Sequence, residues 1–218
     1  MAASPKTPYD RCVFVNCPFD AAYKPLLDAI LFAIHDCGFI ARTALEVTGS
    51  AETRLDKIIR IIRESRWSLH DISRVEITPD SPLPRFNMPF ECGLALGLQR
   101  FGARKDRARD FLVLAARRHQ DKRTLSDLAG QDGAYHQNKP AIAIDAIRRF
   151  LAPKSPSPVR GGTAIKTRYR QFQSELPKLL TGLEISKKEI HGLDYVPELL
   201  KVMIEWQRRQ NTGHVRQR

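Results

Sequence analysis

The sequence is poor in the features that most readily assign a chemistry. Its 218 residues include 4 cysteines, Cys12, Cys17, Cys37 and Cys92. None forms a Cys-x-x-Cys pair and none accompanies a histidine cluster, which argues against a zinc or other metal site and against a disulfide framework. The four read instead as buried free thiols. There is no Walker A loop, no Gly-x-Gly-x-x-Gly element and no internal repeat, so kinase, ATPase and dinucleotide-dehydrogenase readings lose their main support. No apolar run is long enough to span a bilayer. Met1 to Asp10 lacks the basic-then-apolar layout of a secretory leader. No membrane association and a cytoplasmic location are the expectation.

Acidic residues are also in the minority. Lys and Arg number 36 against 24 Asp and Glu, for a net charge of +12. The excess is densest late in the chain, where residues 153–218 hold 13 basic against 6 acidic side chains. Such a surface favours phosphate-bearing or acidic partners, whether nucleotide, nucleic acid or protein, and a solvated basic face accounts for it equally well. Hydrophobic residues at 42% and charged residues at 28% are ordinary globular usage, and the length suffices for one substantial domain with an appendage.

What is present is an alternation of two periods. Arg11–Asn16, Phe39–Leu45, Trp67–Ile72 and Asp110–Ala116 are short runs rich in β-branched, aromatic and other apolar residues, read as strands. Between them, Tyr23–Asp36, Glu52–Glu64 and Met88–Arg100 have helical apolar spacing, and Lys139–Leu151 follows the last strand with the same spacing. Leu55, Ile58, Ile59 and Ile62 are expected to form the buried face of the second helix. Thr78–Pro84 reads as a loop, and Leu125–Leu128 as a short helix stopped at Gly130. The order predicts an α/β fold: a flavodoxin-like, doubly wound, mostly parallel sheet with helices on both faces. It occupies residues 1–151. A Pro/Ser/Gly linker follows over 152–163, then a basic helical tail over 164–218 with amphipathic helices near 164–180 and 195–210. The tail helices are expected to dock on the main domain, on each other or on a partner.

Ligands of open parallel sheets bind beyond the carboxyl ends of the strands. The polar residues there are Asn16 and Asp20 after the first strand, Arg42 at the end of the second, Asp71 and Ser73 after the third, then Arg85, Asn87 and Glu91 before the next helix. They form a set suited to a ribose with attached phosphates. Arg42, Arg54 and Arg85 could hold phosphates bidentately, and Asp71 could orient a sugar hydroxyl. Glu91 is the sharpest candidate. In a helix's first turn, a carboxylate kept ionised by the helix dipole could act as nucleophile or stabilise an oxocarbenium-like carbon. An acid there also serves simply as a dipole complement. Gly93 and Gly97 suggest a smooth face pressed against the sheet, with Phe90, Leu94 and Leu98 as the apolar stripe. His70, on the opposite face from Asp71, reads as a packed residue.

Val13-Phe-Val-Asn-Cys-Pro-Phe19 resembles the first-strand motif of nucleoside 2-deoxyribosyltransferases, and Asn87-Met-Pro-Phe-Glu-Cys-Gly-Leu-Ala95 resembles their glutamate-bearing helix start. Ser68-Leu-His-Asp71 falls where that family has its strand-end aspartate. The layout is also similar to TIR domains, which place a catalytic glutamate at a related site and cleave NAD. The resemblance covers roughly the first two-thirds of the chain. It implies that Glu91 matches the catalytic glutamate, that Asp71 matches the sugar-positioning aspartate and that Phe19 belongs to the substrate-binding turn. It also implies a homo-oligomer, no metal and no cofactor beyond NAD or a nucleotide as substrate or ligand. Pro84-Arg-Phe-Asn-Met-Pro89 stands where the transferases have an Asp-x-Gly-Thr run, which points from base exchange towards hydrolysis. The expected activity is therefore N-glycosidic cleavage of NAD, a nucleoside or a nucleotide, and by analogy a TIR-like role in bacterial antiviral defence. The alternative is a non-catalytic nucleotide-sensing or adaptor module whose basic tail binds a protein or nucleic acid.

Overall fold

A computed structural model describes residues 8–46, 52–76, 83–128 and 132–215. In chain order the elements are β1 (Cys12–Asn16), α1 (Lys24–Asp36), β2 (Ile40–Thr43), α2 (Arg54–Glu64), β3 (Trp67–Asp71), α3 (Asn87–Phe101), β4 (Asp110–Ala115), α4 (Gln120–Thr124), β5 (Ala134–Tyr135), α5 (Pro140–Leu151), α6 (Gly162–Thr181), α7 (Lys187–Ile190) and α8 (Val196–Val215). The five strands form one parallel sheet in the order β2-β1-β3-β4-β5. This is the doubly wound α/β class read from the sequence, with a C-terminal helical region. The fifth strand, of 2 residues, was not legible as a run. Most of the expected Thr78–Pro84 loop, and Gly130, lie outside the described residues. Upstream of Gly130, the structure has α4 and then a 3-10 turn at Ser126–Leu128.

The chain divides into two compact units. One is Met1–Pro18 with Phe39–Gln137, the other Phe19–Gly38 with Asn138–Arg218. This line differs from a cut at residue 151, because α1 and α5 group with the C-terminal helices. Ala152–Lys154 is a 3-10 turn rather than extended chain, and α6 begins at Gly162.

In the sheet unit, β1 and β3 are buried along their whole length, as central parallel strands are. The edge strand β2 alternates half-buried and buried residues. Two helix faces differ from the expectation. On α2 the buried residues are Ile58, Ile61 and Ile62, while Leu55 is exposed. The segment carries two overlapping i, i+3, i+4 stripes, and periodicity alone does not choose between them. On α3 the buried stripe is Met88, Glu91, Cys92 and Ala95. Phe90 is exposed, and a Cβ built on Gly93 or Gly97 meets nothing within 4 Å. The glycines therefore lie on an open face of the helix, and the glutamate lies on the packed one. All four cysteines are buried and outside any disulfide.

The helical unit has its own aromatic core. The Phe32 ring of α1 lies 5.3, 5.7 and 5.9 Å from the rings of Tyr169, Phe172 and Trp206. Burial of a large apolar side chain contributes about 1.5–3 kcal/mol. The tail helices thus dock on α1 and on each other, with Ile165, Tyr169, Phe172, Leu176, Leu199, Met203 and Trp206 buried. Polar links close the same core: Arg168 to Asp36 at 2.9 Å, Trp206 to Glu175 at 2.7 Å, and Gln207 to the Phe32 carbonyl at 3.2 Å. Among the described residues no helix is long and apolar enough to cross a membrane.

Candidate functional site

The sheet order reverses between β1 and β3: from β1 the sheet continues to β2, and from β3 to β4 and β5. At such a switch point the connections leave in opposite directions and open a crevice beyond the strand ends. Asn16 and Asp71 are the last residues of those two strands, and Asn16 is in register with His70.

Asn16 is held by its nitrogen. Nδ2 donates to the Met88 carbonyl at 2.8 Å and lies 3.0 Å from His70 Nδ1. The Met88 carbonyl can only accept, which fixes the amide orientation. The second Nδ2 hydrogen then points at a bare Nδ1, so the His70 proton is on Nε2, 2.9 Å from Ser68 Oγ. His70 is fully buried, with Phe14 and Phe111 ring centroids each 6.0 Å away. Burial pulls its pKa down to about 3, so the ring is neutral.

Asp71, 1% exposed, is enclosed in a second cluster. It accepts from the Ser73 amide at 2.8 Å, from the Ser73 hydroxyl, and from His136 Nε2 at 2.9 Å. Ser73 Oγ is itself 2.9 Å from the same His136 nitrogen. A nucleophilic serine triad puts serine and carboxylate on opposite ring nitrogens, so this cluster is not one. Gln120 extends it: its Oε1 accepts the Ala116 and Arg117 amides, and its Nε2 reaches the Ser73 carbonyl at 3.3 Å. His136, fully buried, follows the two-residue β5. The rule that inspects residues after strands would have found it had β5 been visible.

Glu91 differs from both clusters. It sits in the second turn of α3, which begins at Asn87, and not in the first. The residue is 8% exposed, and neither carboxyl oxygen makes a hydrogen bond with a described residue. Burial pushes its pKa up to about 7, opposed by the charge of Arg54. The expected dipole-held carboxylate is therefore replaced by a group that changes charge near neutrality. Its neighbour Cys92 is a poor nucleophile, since burial pushes the thiol up to about 12.

The remaining candidates separate. Arg54 is exposed at the first position of α2, makes no ion pair with a described residue, and supplies the positive charge felt by Glu91. Arg85 and Asn87 are exposed where α3 begins, and the Arg85 amide bonds the Arg74 carbonyl at 2.9 Å. Arg42 is engaged by Glu46 at 2.6 Å and Glu64 at 3.0 Å, which takes up the guanidinium expected to hold phosphate. Phe19 and Asp20 belong to the helical unit, where Asp20 Oδ1 accepts the Tyr23 amide at 2.9 Å. Among the described residues, no group of three or more His, Cys, Asp or Glu side chains gathers as a metal site requires.

Comparison of the chain with protein-family models, with curated proteins and with solved structures gives no match.

Proposed function

We propose that this chain cleaves the N-glycosidic bond of a nucleotide, with NAD as the best-fitting substrate class, in the manner of the deoxyribosyltransferase-like and TIR-like proteins it resembles. The observation that carries this reading is the state of Glu91. The residue is 8% exposed, and its carboxyl has no hydrogen-bond partner among the described residues; it lies one turn from the Asn16–Met88 link at the switch point, with a pKa near 7. A carboxyl poised near neutral pH suits acid–base work or stabilisation of a developing cation.

The chemistry follows from there being one such group. Glycosidases pair two carboxyls, one of which protonates the leaving group. Here Asp71 is committed to Ser73 and His136. Glu91 alone fits a reaction whose leaving base needs no proton. The nicotinamide of NAD is such a base: when the C1′–N bond breaks, the ring takes the electron pair and departs neutral. The ionised Glu91 stabilises the oxocarbenium-like C1′. Water then adds to C1′, and its proton passes to the carboxylate. Arg54, with Arg85 at the start of α3, is positioned on exposed surface to meet the phosphates.

Incubation of the protein with NAD and with nucleosides, followed by chromatography of the released base, tests this. Glu91→Ala is expected to lower base release from NAD about a thousandfold, within the range for removal of an acid–base group. Full turnover by Glu91→Ala removes the assignment. Tight nucleotide binding without products leaves a nucleotide sensor as the reading.

A further inference from the structure

The proposed function leaves unused a detail of the switch point. Both hydrogens of the Asn16 amide are committed, one to the Met88 carbonyl and one to His70 Nδ1, whereas no described residue donates to its Oδ1. That oxygen is also absent from the fully enclosed side-chain atoms lacking a partner, which among the described residues are Tyr9 Oη, Asp36 Oδ2 and Arg168 Nη2. Its lack of a partner therefore coincides with an opening to solvent. Asn16 is otherwise 3% exposed, so an acceptor is presented at the end of β1 by a side chain with little freedom to turn.

His70 removes that freedom. An asparagine amide can rotate by half a turn and exchange oxygen for nitrogen at little steric consequence. Here the flip would set Oδ1 against two acceptors, the Met88 carbonyl and the bare His70 Nδ1. The His70 tautomer is fixed in turn by Ser68 Oγ at 2.9 Å, and its ring is walled by Phe14 and Phe111. This buried, neutral histidine has no route to substrate and works as a clamp.

We infer that Asn16 Oδ1 accepts a hydrogen bond from the sugar 2′-hydroxyl of the substrate, so that the site selects ribosyl over 2′-deoxyribosyl compounds, and that His70 is the positioning residue that holds the amide in the accepting orientation. The inference rests on the proposed action of Glu91 at C1′. The amide is bonded to Met88, and Met88 and Glu91 are three residues apart on one buried helical stripe, about 4.5 Å along the axis. The 2′-hydroxyl, on the carbon next to C1′, is the ribose hydroxyl nearest the carbon on which Glu91 acts. A site built to pair a substrate hydroxyl rejects the analogue lacking it because its own polar group is left unpaired.

The test compares NAD with its analogue lacking the 2′-hydroxyl on the nicotinamide ribose, using the full chain. Wild type is expected to prefer NAD by roughly ten- to a hundredfold in kcat/KM. Asn16→Ala should bring the ratio close to one. His70→Phe fills the same slot without the Nδ1 acceptor and should give an intermediate ratio with a lowered kcat. An Asn16→Ala protein that keeps the wild-type ratio overturns the inference while leaving Glu91 in place. Failure of wild type to cleave either compound, or full activity of Glu91→Ala, removes the underlying reading and this one with it. A measurement independent of variants is the 15N spectrum of His70: Nε2 should carry the proton at pH 7, and a proton on Nδ1 overturns the clamp.

Discussion

Two buried charge-bearing side chains of the sheet unit are treated in opposite ways. Arg109, immediately before β4, is 8% exposed. It donates to Asp106 at 2.8 Å, to the carbonyls of Ile62 and Arg63 at 2.7 and 2.8 Å, and to the Ser65 carbonyl. Ile62 and Arg63 lie in the last turn of α2; the Ile62 carbonyl also accepts the Ser65 cap amide at 3.2 Å, and the guanidinium adds donors and a positive charge at this carbonyl-rich helix end. The Tyr9 ring closes over it at 5.0 Å. Glu91, also 8% exposed, has no hydrogen bond with a described residue. One side chain is buried with its partners and acts as a joint. The other is buried without them, and its charge depends on pH and on whatever enters the crevice. Equal burial thus separates a structural ion from a group open to titration once partners are counted, and that group lies one helical turn from Met88, whose carbonyl meets Asn16 at the end of β1.

The contrast can be broken most severely at the joint. Arg109→Ala should destabilise the protein by about 3–5 kcal/mol, because the buried Asp106 loses its counter-charge and keeps only the Ala103 amide, while the Arg63 and Ser65 carbonyls lose the guanidinium donor. Chemical denaturation measures this, and a loss below about 1 kcal/mol would mean the ion pair is not structural.

At Glu91 the sign should reverse. Its folded pKa near 7 lies above the ordinary value of 4.5, so burial favours the protonated form. That contribution is complete below about pH 4.5 and is lost as pH rises through 7. Glu91→Gln keeps the neutral form at every pH. It should therefore stabilise the protein by on the order of 3 kcal/mol above pH 7 and by almost nothing at pH 4.5. Denaturation midpoints at pH 8 and 4.5 check this, and a loss of stability at pH 8 contradicts it. Base release should meanwhile fall with the carboxylate. The kcat/KM for NAD is expected to drop about tenfold per pH unit below 7 and to level off above it, while a flat profile from pH 5 to 8 breaks the link to Glu91.

The smallest effect tests the platform under Arg54. Thr53 Oγ1 accepts the Asp56 amide at 3.1 Å as the N-cap of α2. Thr53→Ala should lower stability by about 1 kcal/mol and leave the pH midpoint of turnover unchanged, and a shifted midpoint would show that the cap reaches Glu91.

Much of this molecule is legible in the sequence. Four strands and six long helices follow from apolar period, and Glu91, Asp71 and Asn16 follow from the strand-end rule. Where two stripes overlap, period alone misled. On α3, Phe90, Leu94 and Leu98 compete with Met88, Cys92 and Ala95, and the packed stripe turned out to contain the glutamate. Arg42 and Arg54 look alike in sequence, but one is held by Glu46 and Glu64 while the other is not.

The sequence by itself determined the class of fold, the parallel order of its elements and the residues at the strand ends, because backbone periodicity and turn chemistry are local. Only the tertiary structure decided which of those residues were already satisfied. Asp71 is closed by His136, 65 residues downstream, the Asn16 amide meets His70 on the neighbouring strand, and Glu91 is 8% exposed with no hydrogen bond to a described residue. Partnership and burial depend on segments distant in the chain, and they set the charge of a carboxyl. The single glutamate first read as an ion held by a helix dipole is instead a buried acid poised near neutral pH.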